Sequence, residues 1–73
     1  MGTDMLTFPL PATTGTAHLQ IIVGGQSVYD GSINYADWNG TYMQEVSGTG
    51  TGEAEVYIDG NHYGTYPLEF TNG

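Results

Sequence analysis

The chain contains no cysteine, no lysine and no arginine. Without cysteine no disulfide can brace the fold, and without the two strong cations no ordinary side-chain salt bridge can form. Only His18, His62 and the N-terminal amine can carry positive charge, against eight Asp and Glu and a formal net charge of −8. Nucleic acid is excluded as a partner, because that affinity depends on Lys and Arg displacing counterions from phosphates. Attraction to anionic lipid headgroups fails for the same reason. Trypsin-like proteases find no cleavage site, which suits an exposed, durable location.

Long apolar runs are also missing. No stretch approaches the roughly 20 apolar residues of a spanning helix, so membrane insertion is not expected. The start, Met1-Gly2-Thr3-Asp4, has neither a basic n-region nor a sustained apolar h-region and does not read as a signal peptide. Hydrophobic residues make up only 38% of 73 positions. A chain of this length forms one domain, residues 1–73, and buries only about 60% of the surface its unfolded form exposes. The core is therefore thin, and support is expected from a neighbouring domain, a bound metal or identical subunits.

What is present is alternation. Aromatic and β-branched residues alternate with polar ones, and Gly, Asn, Asp and Thr punctuate the chain at short intervals. No window of about 11 residues carries helical periodicity. The expected fold is all-β, a small antiparallel β-sandwich or partly open barrel of about six or seven strands. Leu6, Phe8 and Leu10 share one face of a first strand, and Pro9 marks it as an edge. A second strand carries Leu19, Ile21 and Val23, and Gly24-Gly25 turns it into a third over residues 26–35, with a break at Asp30-Gly31. Residues 36–40 form a loop and residues 41–46 a fourth strand whose core face is left open by its pattern. Gly48-Thr49-Gly50-Thr51-Gly52 reads as a flexible connection. In the clearest strand of all, Ala54, Val56 and Ile58 face inward while Glu53, Glu55, Tyr57 and Asp59 face out. Asp59-Gly60 then turns the chain back toward Leu68 and Phe70.

Residues 52–68, with Val56-Tyr57-Ile58-Asp59-Gly60, Gly64 and Pro67-Leu68 in order, resemble the PEGA domain, a small β-module of surface-exposed proteins. A fainter likeness spans more of the chain. Leu19-Gln20-Ile21-Ile22-Val23, Gly25, Val28-Tyr29-Asp30-Gly31 and the later Val56-Tyr57-Ile58-Asp59-Gly60 are similar to the periplasmic C-terminal β-module of the RodZ cell-shape protein. Both resemblances imply a non-catalytic, extracytoplasmic module.

Chemistry-bearing patterns are sparse. Ser27, Ser32 and Ser47 with His18 and His62 are the only parts for nucleophilic catalysis, and Gly25-Gln26-Ser27-Val28-Tyr29 lacks the second glycine of a nucleophile elbow. Glu53 and Glu55 share a strand face about 6.5–7 Å apart, near the lower end of an inverting glycosidase pair. An exposed strand, however, implies no cleft. Calcium is the credible hard cation, around Asp30, Asp37 or Asp59. Asp37-Trp38-Asn39-Gly40 is no EF-hand, since its first ligand would be Tyr35 and its last Val46. No metal ligand set and no required cofactor emerges, and His18 and His62 lack zinc spacing. The Gly/Thr run at residues 48–52 opens a strand and has no Lys, unlike a phosphate cradle. Asn39-Gly40-Thr41 fits a glycosylation acceptor.

Aromatics are the best lead, because they stack on sugars and dominate protein interfaces. Trp38, Tyr57 and Tyr63 are the candidate binding residues. The leading expectation is a non-catalytic subunit of an extracellular or cell-surface assembly. It would join copies of itself or a host surface protein through strand edges bearing Leu6, Phe8, Leu10, Leu68 and Phe70. The alternatives are a carbohydrate-binding module, with a glycan as partner, and a surface accessory domain cut from a longer chain.

Overall fold

The structure, a computed structural model, describes residues 2–11 and 13–70. Six strands form: β1 (Gly2–Pro9), β2 (Thr16–Val23), β3 (Gln26–Asn34), β4 (Thr41–Gly48), β5 (Gly50–Ile58) and β6 (Asn61–Phe70). A 3-10 turn, Tyr35–Asp37, joins β3 to β4 and is capped by the Asn34 side chain, which accepts from the Ala36 N–H at 3.0 Å. Every strand pair is antiparallel, in a two-stranded sheet β1-β4 and a four-stranded sheet β3-β2-β5-β6.

Two tight turns set the register of the larger sheet. Gly24 and Gly25 link β2 to β3 with φ of 59° and 80°, and Asp59 and Gly60 link β5 to β6 with φ of 51° and 82°. Positive φ at both central residues matches the right-handed twist of the flanking strands. Alternation then sends Leu19, Ile21, Ala54, Val56, Leu68 and Phe70 inward. Leu6, Phe8, Tyr42 and Val46 of the smaller sheet meet them in one core. The open face of β4 is thus settled: Tyr42 and Val46 are buried, and Met43 and Glu45 are exposed.

The two sheets share no ladder, yet their edges are tied. Each edge strand of the larger sheet carries one bulge. Tyr29 pairs with Ile21 and Ser27 with Ile22, which leaves Val28 as the extra residue of β3. Gly64 pairs with Val56 and His62 with Tyr57, which leaves Tyr63 as the extra residue of β6. Both bulged residues reach the smaller sheet. The Tyr63 hydroxyl donates to the Pro9 carbonyl, and the Val28 carbonyl accepts from Gln44 Nε2 at 3.3 Å. Tyr42 fixes Gln44 by donating its hydroxyl to Oε1 at 2.6 Å. Asp4 Oδ2 accepts from the Glu69 N–H at 2.8 Å on the Tyr63 side. The result is a sandwich whose two seams are closed by side chains in the manner of a partly open barrel.

Three expectations change. β3 runs unbroken through Asp30 and Gly31, and its irregularity falls at Val28. Residues 48–52 are not a long connection, because β4 ends at Gly48 and β5 begins at Gly50. Gly48 sits against the Phe70 ring, where a Cβ would come within 2.7 Å of it, so close approach at a sheet-to-sheet corner is what this glycine serves. Lastly, Leu6, Phe8, Leu10, Leu68 and Phe70 are 1 to 8% exposed within a single chain. A copy therefore has nothing left to bury on them, and the edge-burial motive for assembly through these side chains does not hold.

Candidate binding face

The inward alternation of β2, β5 and β6 leaves their other side chains on the outer face of the four-stranded sheet. Tyr57 lies near the middle of that face, with Gln20 opposite it on β2 and His62 opposite on β6. The Tyr57 and His62 rings meet edge to face, 5.3 Å between centroids at 71°, and make a corner of two aromatic walls. The next row holds Glu55 and Thr65, which are in register. Thr65 Oγ1 donates to Glu55 Oε1 at 2.6 Å, and His62 Nε2 lies 3.0 Å from Glu55 Oε2. The Thr65 hydrogen bond, more than His62, holds the Glu55 carboxyl below its ordinary 4.5, with partial desolvation acting in the opposite direction.

On the other flank, His18 Nε2 lies 2.7 Å from Asp30 Oδ1, and Gln20 Nε2 donates to Asp30 Oδ2 at 3.4 Å. The turn residue Asp59 completes this end, since its Oδ1 accepts from the His18 N–H at 2.9 Å. Both histidines of the chain therefore stand on one face, each against a carboxylate. These groups are about half exposed, so the pairs contribute little to stability. They place Glu55, His62, Asp30 and His18 on the same face as Tyr57 as exposed, paired hydrogen-bonding groups.

The three candidate aromatics do not form one site. Trp38 is half-buried against Tyr42, with ring centroids 4.3 Å apart. Tyr63 is tied to Pro9 at the seam and lies 6.1 Å from the Phe8 ring. Both belong to a connected cluster in which Phe8 also contacts Tyr42 at 5.3 Å and stacks on Tyr66 at 5.1 Å. Burial raises the Tyr42 and Tyr66 hydroxyl pKa values above 10.0, as expected inside a core. Only Tyr57 of the three stands on the open face.

Of the calcium candidates, Asp30 is engaged with His18 and Gln20, Asp59 with the His18 backbone, and Asp37 lies on the 3-10 turn. Among the described residues no group of three or more His, Asp or Glu side chains converges as metal ligands. Gln20, Asp30, His18, His62 and Thr65 were not legible as partners of Tyr57, because what assembles them is cross-strand register. The usable signal was parity: the two-residue Asp59-Gly60 turn pairs Ile58 with Asn61 and therefore sets Tyr57 opposite His62, each one residue in from its strand end.

No family model, curated protein or solved structure matches this chain.

Proposed function

We propose that the chain is a non-catalytic binding module of an extracellular or cell-surface setting, and that the outer face of its four-stranded sheet holds an uncharged glycan. The observation that carries this reading is the corner of Tyr57 and His62 rings bordered by Gln20, Glu55 and Thr65. An aromatic ring supplies a flat apolar surface for the C–H face of a sugar, while fixed carboxylate, amide and hydroxyl groups meet its ring of hydroxyls. Charge selects further. Four of the carboxylates, Asp30, Glu53, Glu55 and Glu69, share this face, so acidic sugars would be repelled. The PEGA-like pattern of residues 52–68 supports the extracytoplasmic setting and the absence of catalysis. The test is an array of neutral and acidic glycans probed with the wild-type chain and with Tyr57→Ala. Retention of neutral glycans by the wild type and at least a tenfold loss in the variant is expected. Equal retention by both proteins, or preference for acidic glycans, would refute the assignment.

A further inference from the structure

The turn that leads into β4 carries a chemically reactive pair of residues. Asn39 and Gly40 both have positive φ, 41° and 86°, and the Thr41 N–H donates to the Trp38 carbonyl at 2.8 Å across them. Both residues are exposed, and a Cβ placed on Gly40 would meet nothing within 4 Å. Among the described residues, neither the Asn39 carboxamide nor the Gly40 N–H has a hydrogen-bond partner.

We propose that Asn39 is a site of spontaneous deamidation, with water as the only co-reactant. The Gly40 nitrogen, its proton passing to a solvent base, attacks Asn39 Cγ. The N–Cγ bond forms, the Cγ–Nδ2 bond breaks, and the departing nitrogen takes a proton from solvent and leaves as ammonia. Water then opens the five-membered imide at either carbonyl and gives aspartate or isoaspartate. Nothing is oxidised or reduced, and the chain gains one negative charge.

Several observations single out Asn39. Ring closure requires the turn to open, and opening relieves the left-handed conformation that asparagine tolerates only at a cost. Gly40 has no Cβ to obstruct the attack. The other asparagines are held: Asn34 Oδ1 accepts from the Ala36 N–H, and Asn61 lies in the β6 ladder opposite Ile58. Each is followed by a residue with a bulky side chain, Tyr35 or His62. The Asp-Gly pairs are held as well. Asp30 lies within β3 with one carboxylate oxygen against His18 and the other against Gln20, and Asp59 is tied to the His18 backbone by two hydrogen bonds. An ionised carboxylate is in any case a poorer electrophile than a carboxamide.

Isoaspartate routes the main chain through Cβ and Cγ, which inserts a methylene before Gly40. The Gly40 carbonyl accepts from the Leu10 N–H at 3.0 Å, and Thr41 pairs with Pro9. The insertion therefore falls where β4 begins against the end of β1 and where Trp38 is held on Tyr42. Its consequence is a loosened small sheet, whatever Tyr57 binds.

Ageing the intact chain in mildly alkaline buffer at physiological temperature tests the proposal. Trypsin has no site, so a glutamate-specific protease and tandem mass spectrometry read each asparagine, including Asn72, which also precedes a glycine and lies outside the described residues. Asn39 should convert at least about tenfold faster than Asn34 and Asn61, whose following residues carry a Cβ. Asn39→Gln should remove that signal. The isoaspartate form, separated by chromatography, should melt below Asn39→Asp, which has the same charge on an ordinary backbone. An Asn39 that survives while Asn72 converts would overturn the proposal, as would equal rates at Asn34, Asn39 and Asn61. An isoaspartate form that melts with Asn39→Asp would overturn the loosening assigned to it.

Discussion

Tyr63, the extra residue of the β6 bulge, donates its hydroxyl to the Pro9 carbonyl of β1 and so joins two strands that share no ladder. Proline explains why the join is needed on that side, since Pro9 has no N–H to offer a neighbouring strand. Tyr63→Phe removes this hydrogen bond and keeps the ring beside Phe8. A loss of about 1 kcal/mol in unfolding free energy is expected from denaturant melts. No change in ligand affinity should accompany it, and a coupled loss of affinity would return Tyr63 to the binding site.

Gly48 packs against Phe70 at the corner between the sheets, and an added Cβ would approach three ring atoms within 2.9 Å. Phe70 is itself buried in the core and cannot turn away freely. Gly48→Ala should therefore destabilise by about 1–3 kcal/mol through overpacking. Measured by the same melts, a neutral effect would mean that the corner yields.

The Glu55 carboxyl is held low first by the Thr65 hydroxyl and then by His62. A carboxyl whose folded pKa lies below its unfolded value contributes stability above that unfolded value and loses it as pH falls through the folded one. Thr65→Val should move the Glu55 titration up toward 4.5, so that this group's stabilisation above that value is reduced and the acid decline in stability becomes shallower. Carbon-detected NMR titration of Glu55 checks the shift directly. An unchanged midpoint would assign the effect to His62.

Much of the fold was legible because its determinants are local. The period-two pattern of Ala54, Val56 and Ile58 and the two positive-φ turns at Gly24-Gly25 and Asp59-Gly60 specify strands and hairpins by themselves. The bulges at Val28 and Tyr63 were not legible, because each exists to meet the other sheet, which lies far away in sequence. The same is true of the aromatics. Trp38 and Tyr63 look alike to Tyr57 in the sequence, and only their contacts with Tyr42 and Phe8 set them against the core. Phe70 lies in the core, as its place after the Asp59-Gly60 turn implies, and tyrosines supply much of the apolar surface that a low hydrophobic content leaves missing.

With eight carboxylates and no Lys or Arg, the folded chain repels itself. Its melting temperature should rise as sodium chloride is increased from about 0.05 to 0.5 M, where the screening length falls below the spacing of most of these groups. A melting temperature indifferent to salt would show that the carboxylates are already compensated.

Binding at the face around Tyr57 is tested most directly by amide NMR spectra of the labelled chain, titrated with a neutral glycan retained on the array. Shifts concentrated at Gln20, Glu55, Tyr57, His62 and Thr65, with Met5, Met43, Trp38 and Tyr63 unmoved, are the expected result. Shifts centred on Trp38 or Tyr63, with Tyr57 and His62 unmoved, would contradict it.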